Sequence, residues 1–266
     1  MIYFISDLHL SPQTPGVTRL FFHFLDFLGG PARAAKHLYI LGDLFEAWTG
    51  DDALDDPENN FDRLIVDALR AVTDAGVGLS VMHGNRDFLL GNDFATRSGA
   101  TLLPDPYVLS LPAWQFVLSH GDMLCTDDKD YQAFREQVRS PEWRQMFLRK
   151  PLIERKAIAA QMRRQSEESK REKLKQAYDL MDLNPGDTDD FLRQHGYATF
   201  IHGHTHRPAT HDHLVDGIHV ERWVLADWHE DHAEYLCWDG EHLSRKVLQP
   251  GSPELPSTHF RTPDLS

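Results

Sequence analysis

The chain has 266 residues, 41% of them hydrophobic and 26% charged, which suits one domain with an elaboration or two small domains. Its formal net charge of −14 argues against nucleic acid as a partner, because backbone binding depends on Lys and Arg. The two cysteines, Cys125 and Cys237, lack CxxC spacing, so they support neither a disulfide framework nor a thiolate zinc site, and reduced cytosolic thiols are expected. The first ten residues, "MIYFISDLHL", lack a basic n-region and a long apolar stretch, so no signal peptide is expected. No segment reaches the ~18 apolar residues of a membrane-spanning helix.

In chain order, short apolar runs recur, each ending in polar residues: "IYFIS" before Asp7, "LYILG" before Asp43, "LSVMHG" before Asn85, "FVLSHG" around His120 and "ATFI" before His202. Runs of this length, rich in Ile, Val, Leu and Phe, predict strands buried on both faces. Helix-like stretches at Arg19–Leu28 and Asn60–Ala75 alternate with the early runs, which predicts α/β architecture. Open α/β sheets bind ligands at the carboxyl ends of their strands, where the polar residues fall. Tyr107 to Gly121 reads as a hairpin, and "WVLAD", "EYLCW" and "LSRKVL" as further antiparallel strands.

The stretch from Asp127 to about Asp182 reads as helices. Ser140, Pro141 and Glu142 open one of them as cap, N1 proline and acidic first turn, and Pro151 marks its end. Between Arg149 and Lys175 ten Lys/Arg face four Asp/Glu, a net of +6 that leaves −20 for the remaining residues. A solvated helix and a surface that meets anionic lipid both stay open as readings. Trp143, Met146, Phe147 and Leu148 beside it suit either the segment's own core or an acyl-chain shelter. The Pro- and Ser-rich tail 249–266 reads as disordered.

The chemistry lies in five blocks, each after an apolar run: Asp7-x-His9, Gly42-Asp43 with Glu46, Gly84-Asn85-Arg86-Asp87, His120-Gly121-Asp122, and "FIHGHTHRP" with His202, His204 and His206. Singly these are weak, since an Asp-x-His is usually a surface pair and a lone His a packed one. Of 16 histidines, His23, His37, His195, His242 and His259 take that ordinary role. Together the blocks bring carboxylates, an amide oxygen and imidazoles to strand ends that should converge. Such N/O ligation without thiolate suits Mn, Fe or Zn, and a carboxylate between imidazole-rich sets is what a bridged pair ~3.5–4 Å apart needs.

The series DxH…GDxxE…GNRD…HGD…GHTH resembles the calcineurin-like metallophosphoesterase superfamily, from Met1 to about Leu248. "FISDLHL", "GDLFEAWTGDD", "HGNRDFLLG", "SHGDMLCTDDKDYQAFR" and "IHGHTHRPA" are similar to its UDP-2,3-diacylglucosamine hydrolase family, of the lipid A pathway of Gram-negative bacteria. The resemblance implies a four-layer α/β/β/α sandwich of two mixed sheets. The core would span 1–126 and 183–248, with a helical cap inserted at 127–182. It implies two Mn²⁺, one held by Asp7, His9, Asp43 and His204 and the other by Asn85, His120 and His202, with Asp43 bridging and His206 behind the ligands. Asp43, Asn85, Arg86 and His120 would be catalytic, by a two-metal mechanism with attack on the α-phosphorus. Substrate contacts would come from Asn85, Arg86, Asp128, Ser166, Lys170, Lys173 and His202, with Lys170 standing where the family often has Asn. The implied reaction splits a UDP-diacylglucosamine lipid to UMP and a sugar 1-phosphate, peripherally on the cytoplasmic face of the inner membrane, with no nucleic acid and no obligate protein partner. Another phosphodiesterase or pyrophosphatase, such as a nucleotide hydrolase, is the alternative. A catalytically silent binding module is disfavoured, because no ligand position is lost.

Overall fold

The structure, a computed structural model, describes residues 1–30, 35–176 and 182–248, without the side chains of 167 and 169–176. The chain runs β1 (Ile2–Ile5), α1 (Pro15–Gly29), β2 (His37–Leu41), α2 (Asn60–Asp74), β3 (Gly78–Met82), α3 (Asn92–Ser98), β4 (Thr101–Leu103), β5 (Tyr107–Ser110) and β6 (Gln115–Ser119). It continues with α4 (Lys129–Arg139), α5 (Pro141–Leu148), α6 (Leu152–Gln176), α7 (Pro185–Gln194), β7 (Thr199–His202), β8 (Ala209–Val215), β9 (Ile218–Val224), β10 (Ala233–Trp238) and β11 (Leu243–Leu248).

The strands form two mixed sheets, ordered β11-β10-β1-β2-β3-β4 and β5-β6-β7-β9-β8. Period-two alternation explains why the runs are apolar throughout. Phe4, Tyr39 and Leu41 face inward and meet Phe116, Leu118 and Ile201 of the other sheet. Their neighbours Tyr3, Ile5, Leu38 and Ile40 face outward onto Phe21, Phe24 and Leu25 of α1 and Ile65 and Leu69 of α2. On the second sheet Val117 and Phe200 face outward onto Phe191 and Leu192 of α7. The result is a four-layer α/β/β/α sandwich.

β1, β2 and β3 run parallel to one another, as do β6 and β7, so the polar ends of all five runs lie at strand carboxyl ends. Two expectations need adjustment. "WVLAD" is strand only as far as Val224, because the chain then leaves the sheet and Trp228 N–H donates to the Asp7 carbonyl (3.2 Å). β4 and β8 also gave no recognised signal, β8 because its half-covered face carries His211 and His213 between Ala209 and Val215 and its other face is exposed.

In the helical segment Ser140 caps α5 by accepting from Trp143 N–H (3.3 Å). Trp143 stacks on Phe147 at 4.7 Å and meets Phe88 at 6.0 Å, so these two rings pack α5 onto the core of the first sheet. Met146 and Leu148 stay exposed, as does Ile153 at 80%. Part of the basic run has an internal use. The Arg155 guanidinium, 1% exposed, grips the Asp52 carboxylate and the Thr49 carbonyl, Lys156 pairs with Asp56 (2.7 Å) and Arg163 with Glu46 (2.9 Å). These contacts lay α6 along residues 46–56. The tail expectation (249–266) falls outside the described residues, and among those described no helix is long and apolar enough to cross a membrane.

Candidate metal centre

Five polar residues at the strand ends take a left-handed backbone that side chains other than glycine rarely adopt: Asp7 (φ 55°), His9 (49°), Asp43 (52°), His204 (69°) and His206 (54°). Each such residue costs about 1–3 kcal/mol and persists only where the surroundings over-determine it, which marks a functional site. The turn lets side chains at odd spacing point to one place. Asp87 holds the loops that carry them, since its buried carboxylate accepts N–H bonds from Gly84 and Leu44 (2.8 Å each) and Phe45 (3.4 Å).

One group of ligand atoms comprises Asp7, His9 and His206, and a second comprises Asp7, Asp43 and His120. The Nε2 atoms of His9 and His206 lie 3.3 Å apart. Behind them, His9 Nδ1 sits 3.2 Å from Glu46 and His206 Nδ1 3.2 Å from Asp227, so each ring is aimed by a carboxylate on its far nitrogen. Asp43 accepts from Arg86 N–H through Oδ1 (2.8 Å), while Oδ2 lies 3.9 Å from His9 Nε2 and 3.8 Å from His120 Nε2. That carboxylate is common to both sides. His120 Nδ1–H donates to the Leu41 carbonyl (2.9 Å), leaving Nε2 against Asn85 Oδ1 at 3.0 Å, and His204 Nδ1 is also 3.0 Å from Asn85 Oδ1.

These residues fit divalent metal ions. Asp7 is wholly buried, and its Oδ1 lies 3.4 Å from His206 Nε2. His120 and His204 present lone pairs towards an amide oxygen, an arrangement a cation between them would satisfy. Burial disfavours charge on His206, yet the hydrogen bonds it donates to Asp227 and Asp7 outweigh this and raise the ring to about 10. Burial, then His120, brings His204 down to about 4, so it is neutral and able to ligate.

The structure corrects one expectation. His202 does not face the cluster: its Nδ1–H donates to the Gly203 carbonyl (2.8 Å) and its Nε2 accepts from Arg222 Nη1 (3.0 Å). Both nitrogens are engaged, and burial followed by Arg222 lowers the ring to about 3. The strand ends at His202, and the two left-handed residues after it turn His204 and His206 into the site. His206 therefore stands where His204 was expected, beside Asp7 and His9, and His204 takes the place expected of His202.

Other residues have different roles. Asp122 is buried and accepts from Tyr131 OH (2.8 Å), Arg135 Nε (2.8 Å) and Arg139 Nη2 (3.1 Å), tying α4 to the site, while the Tyr131 ring stacks on His204 at 5.8 Å. Asp128 caps α4 by accepting from Tyr131 N–H (3.1 Å). Arg86 lies 3.7 Å from Glu46, which also pairs with Arg163, so Glu46 joins His9 to α6. Ser166 is exposed on α6, and the Lys170 and Lys173 side chains are outside the described residues. Sequence reasoning gave Glu46 no role and missed Asp227, whose signal was its place at the end of the "WVLAD" run.

Gly84 has no room for a side chain, because a Cβ there would collide with Asp43 Oδ1 and its backbone nitrogen. Gly84→Ala should displace Asp43 and lower turnover by about 10²-fold, the cost of misplacing a reacting group by about 1 Å. Wild-type turnover and metal content in that variant would count against the geometry.

Residues 1–208 match the family model described as calcineurin-like phosphoesterase. A protein of Aromatoleum aromaticum named UDP-2,3-diacylglucosamine hydrolase is 53% identical over 237 residues, 89% of this chain and 92% of the relative. Relatives with the same name come from Chromohalobacter salexigens (48% identical, covering 84% of this chain and 87% of the relative) and Escherichia coli (47%, covering 86% and 91%). A match of this extent, on a four-layer fold with a metal-type cluster at its strand ends, shows that the chain belongs to the calcineurin-like phosphoesterases and, within them, to the UDP-2,3-diacylglucosamine hydrolase family.

Proposed function

We propose that the protein hydrolyses the pyrophosphate of UDP-2,3-diacylglucosamine to UMP and 2,3-diacylglucosamine 1-phosphate (lipid X) in lipid A biosynthesis, with two Mn²⁺ per subunit. The observation that carries this is the placement of Asp43 Oδ2 3.9 Å from His9 Nε2 and 3.8 Å from His120 Nε2, in a chain 53% identical to a hydrolase of that name. Asp7, His9, Asp43 and His206 would hold one ion, and Asp43, Asn85, His120 and His204 the other. When bound, such ions acidify water and neutralise charge on phosphoryl oxygens.

The chain's own residues do the rest. Glu46 and Asp227 hold two imidazoles in ligating orientation. Arg86 and Arg163 converge on Glu46 at the edge of the cluster and offer planar donor forks to the pyrophosphate. A guanidinium has no proton to give to a poor alkoxide leaving group, whereas a sugar 1-phosphate needs none, its second pKa being near ~6. Residues 127–182 serve as a cap over the lipid. Asp128, Ser166, Lys170 and Lys173 would contact the substrate, as the family resemblance implies, and exposed Met146, Leu148 and Ile153 suit peripheral contact with the cytoplasmic face of the inner membrane.

A substrate panel tests this reading. After chelation the protein should be inert; Mn²⁺ should restore brisk cleavage of UDP-2,3-diacylglucosamine and leave alkyl phosphomonoesters nearly untouched. Faster turnover of a soluble nucleotide than of the lipid would favour a nucleotide hydrolase instead.

A further inference from the structure

Beside the cluster lies a cavity of about 410 Å³ lined by Asp182, Thr205, His206, Arg207, His211 and Val224. Its volume falls within the ~300–1,000 Å³ of small-molecule sites. The imidazole that reaches Asp7 also forms part of its wall, so a ligand here would abut the reacting phosphorus.

The lining has the chemistry of a nucleoside rather than of a lipid. Thr205 Oγ1 is buried without a hydrogen bond among the described residues, a group able to donate and accept. Asp182 and Arg207 pair at 2.8 Å on one side and offer an acceptor for ribose hydroxyls and donors for a carbonyl oxygen. His211 is half-buried, and desolvation followed by the nearby Arg222 lowers its pKa, which leaves a neutral ring with one donor and one acceptor for an imide edge. Ala209 and Val224 supply an apolar floor. The exposed apolar side chains suited to acyl chains, Met146, Leu148 and Ile153, lie instead on α5 and α6 and line none of this cavity, and α6 reaches the cluster through Arg163 and Glu46.

A pyrophosphate cleaved at the cluster needs one pocket for each of its two substituents. We infer that the Thr205–His211 cavity receives the uridine half of the substrate, with the lipid sugar towards α5 and α6. This rests on the proposed hydrolase reading, but it is tested without turnover. UMP and inorganic phosphate are titrated calorimetrically into the Mn²⁺-loaded wild-type chain and into the Ala209→Phe and His211→Ala variants. Ala209→Phe fills the floor and His211→Ala removes the imide partner. UMP should bind each variant at least about tenfold more weakly, while phosphate affinity changes far less. Unchanged UMP affinity in both variants, or equal losses of UMP and phosphate, would overturn the assignment. Cleavage of UDP-2,3-diacylglucosamine by the wild-type chain, assayed separately, keeps a failure of the cavity distinct from a failure of the hydrolase reading.

Discussion

Asp43→Ala should lose bound metal and turnover together, the largest effect expected of any single substitution. Asp43 is 2% exposed, is positioned by the Arg86 N–H bond (2.8 Å), and directs its other oxygen between His9 and His120. Removing it leaves His9 and His120 without the anion that lies between them. Metal affinity depends on ligand count and geometry, so bound metal should fall. Metal analysis after desalting checks the first half and turnover of the lipid nucleotide the second. The outer carboxylates give a graded comparison, since Glu46→Ala or Asp227→Ala should cost about 10–100-fold. An Asp43→Ala protein with full metal content and full activity would mean that the cluster is not the active site.

The second large effect separates two histidines four residues apart. His206→Ala should cut turnover by more than about 10²-fold and lower bound metal, because its Nε2 stands 3.3 Å from that of His9 and 3.4 Å from Asp7 Oδ1. His202→Ala should instead retain most of its metal and lose stability. It would leave the buried Arg222 without one acceptor, a cost of about 1–3 kcal/mol or more for a charged group. In a chain this size each kcal/mol moves the melting temperature by about 2–4 °C, so thermal unfolding reads it directly. The opposite pattern, with metal lost in His202→Ala and kept in His206→Ala, would restore the ligand pair expected from sequence.

That exchange shows where sequence is informative and where it stops. The strands were legible because both faces of each are buried: the run around Phe4 had to be apolar inward, towards Phe116, and outward, towards Phe24. The blocks Asp7-x-His9, Gly42-Asp43 and Gly84-Asn85 were legible because each ends such a strand. Which two of His202, His204 and His206 reach the cluster was not. Alternate spacing puts all three on one face of a continuing strand, but the strand stops at His202, and the left-handed residues that follow re-aim the later rings. No residue type announces that turn, since histidine enters the left-handed region more readily than most residues but still only seldom. Glu46 and Asp227 were hidden for another reason. They act through the outer nitrogen of a histidine, and pairing over so long a chain separation is set by tertiary contact alone. The basic run was read as one unit, yet Arg155, Lys156 and Arg163 are matched to Asp52, Asp56 and Glu46, three acids lying about a hundred residues earlier in the chain.

The central claim is metal-assisted hydrolysis of a nucleotide–lipid pyrophosphate at the α-phosphorus. Turnover of UDP-2,3-diacylglucosamine by the Mn²⁺-loaded chain in ¹⁸O-water, with mass analysis of both products, tests it most directly. The account predicts one ¹⁸O in UMP and none in 2,3-diacylglucosamine 1-phosphate. Label found only in the sugar phosphate, or no cleavage of this substrate by the metal-loaded protein, would contradict it.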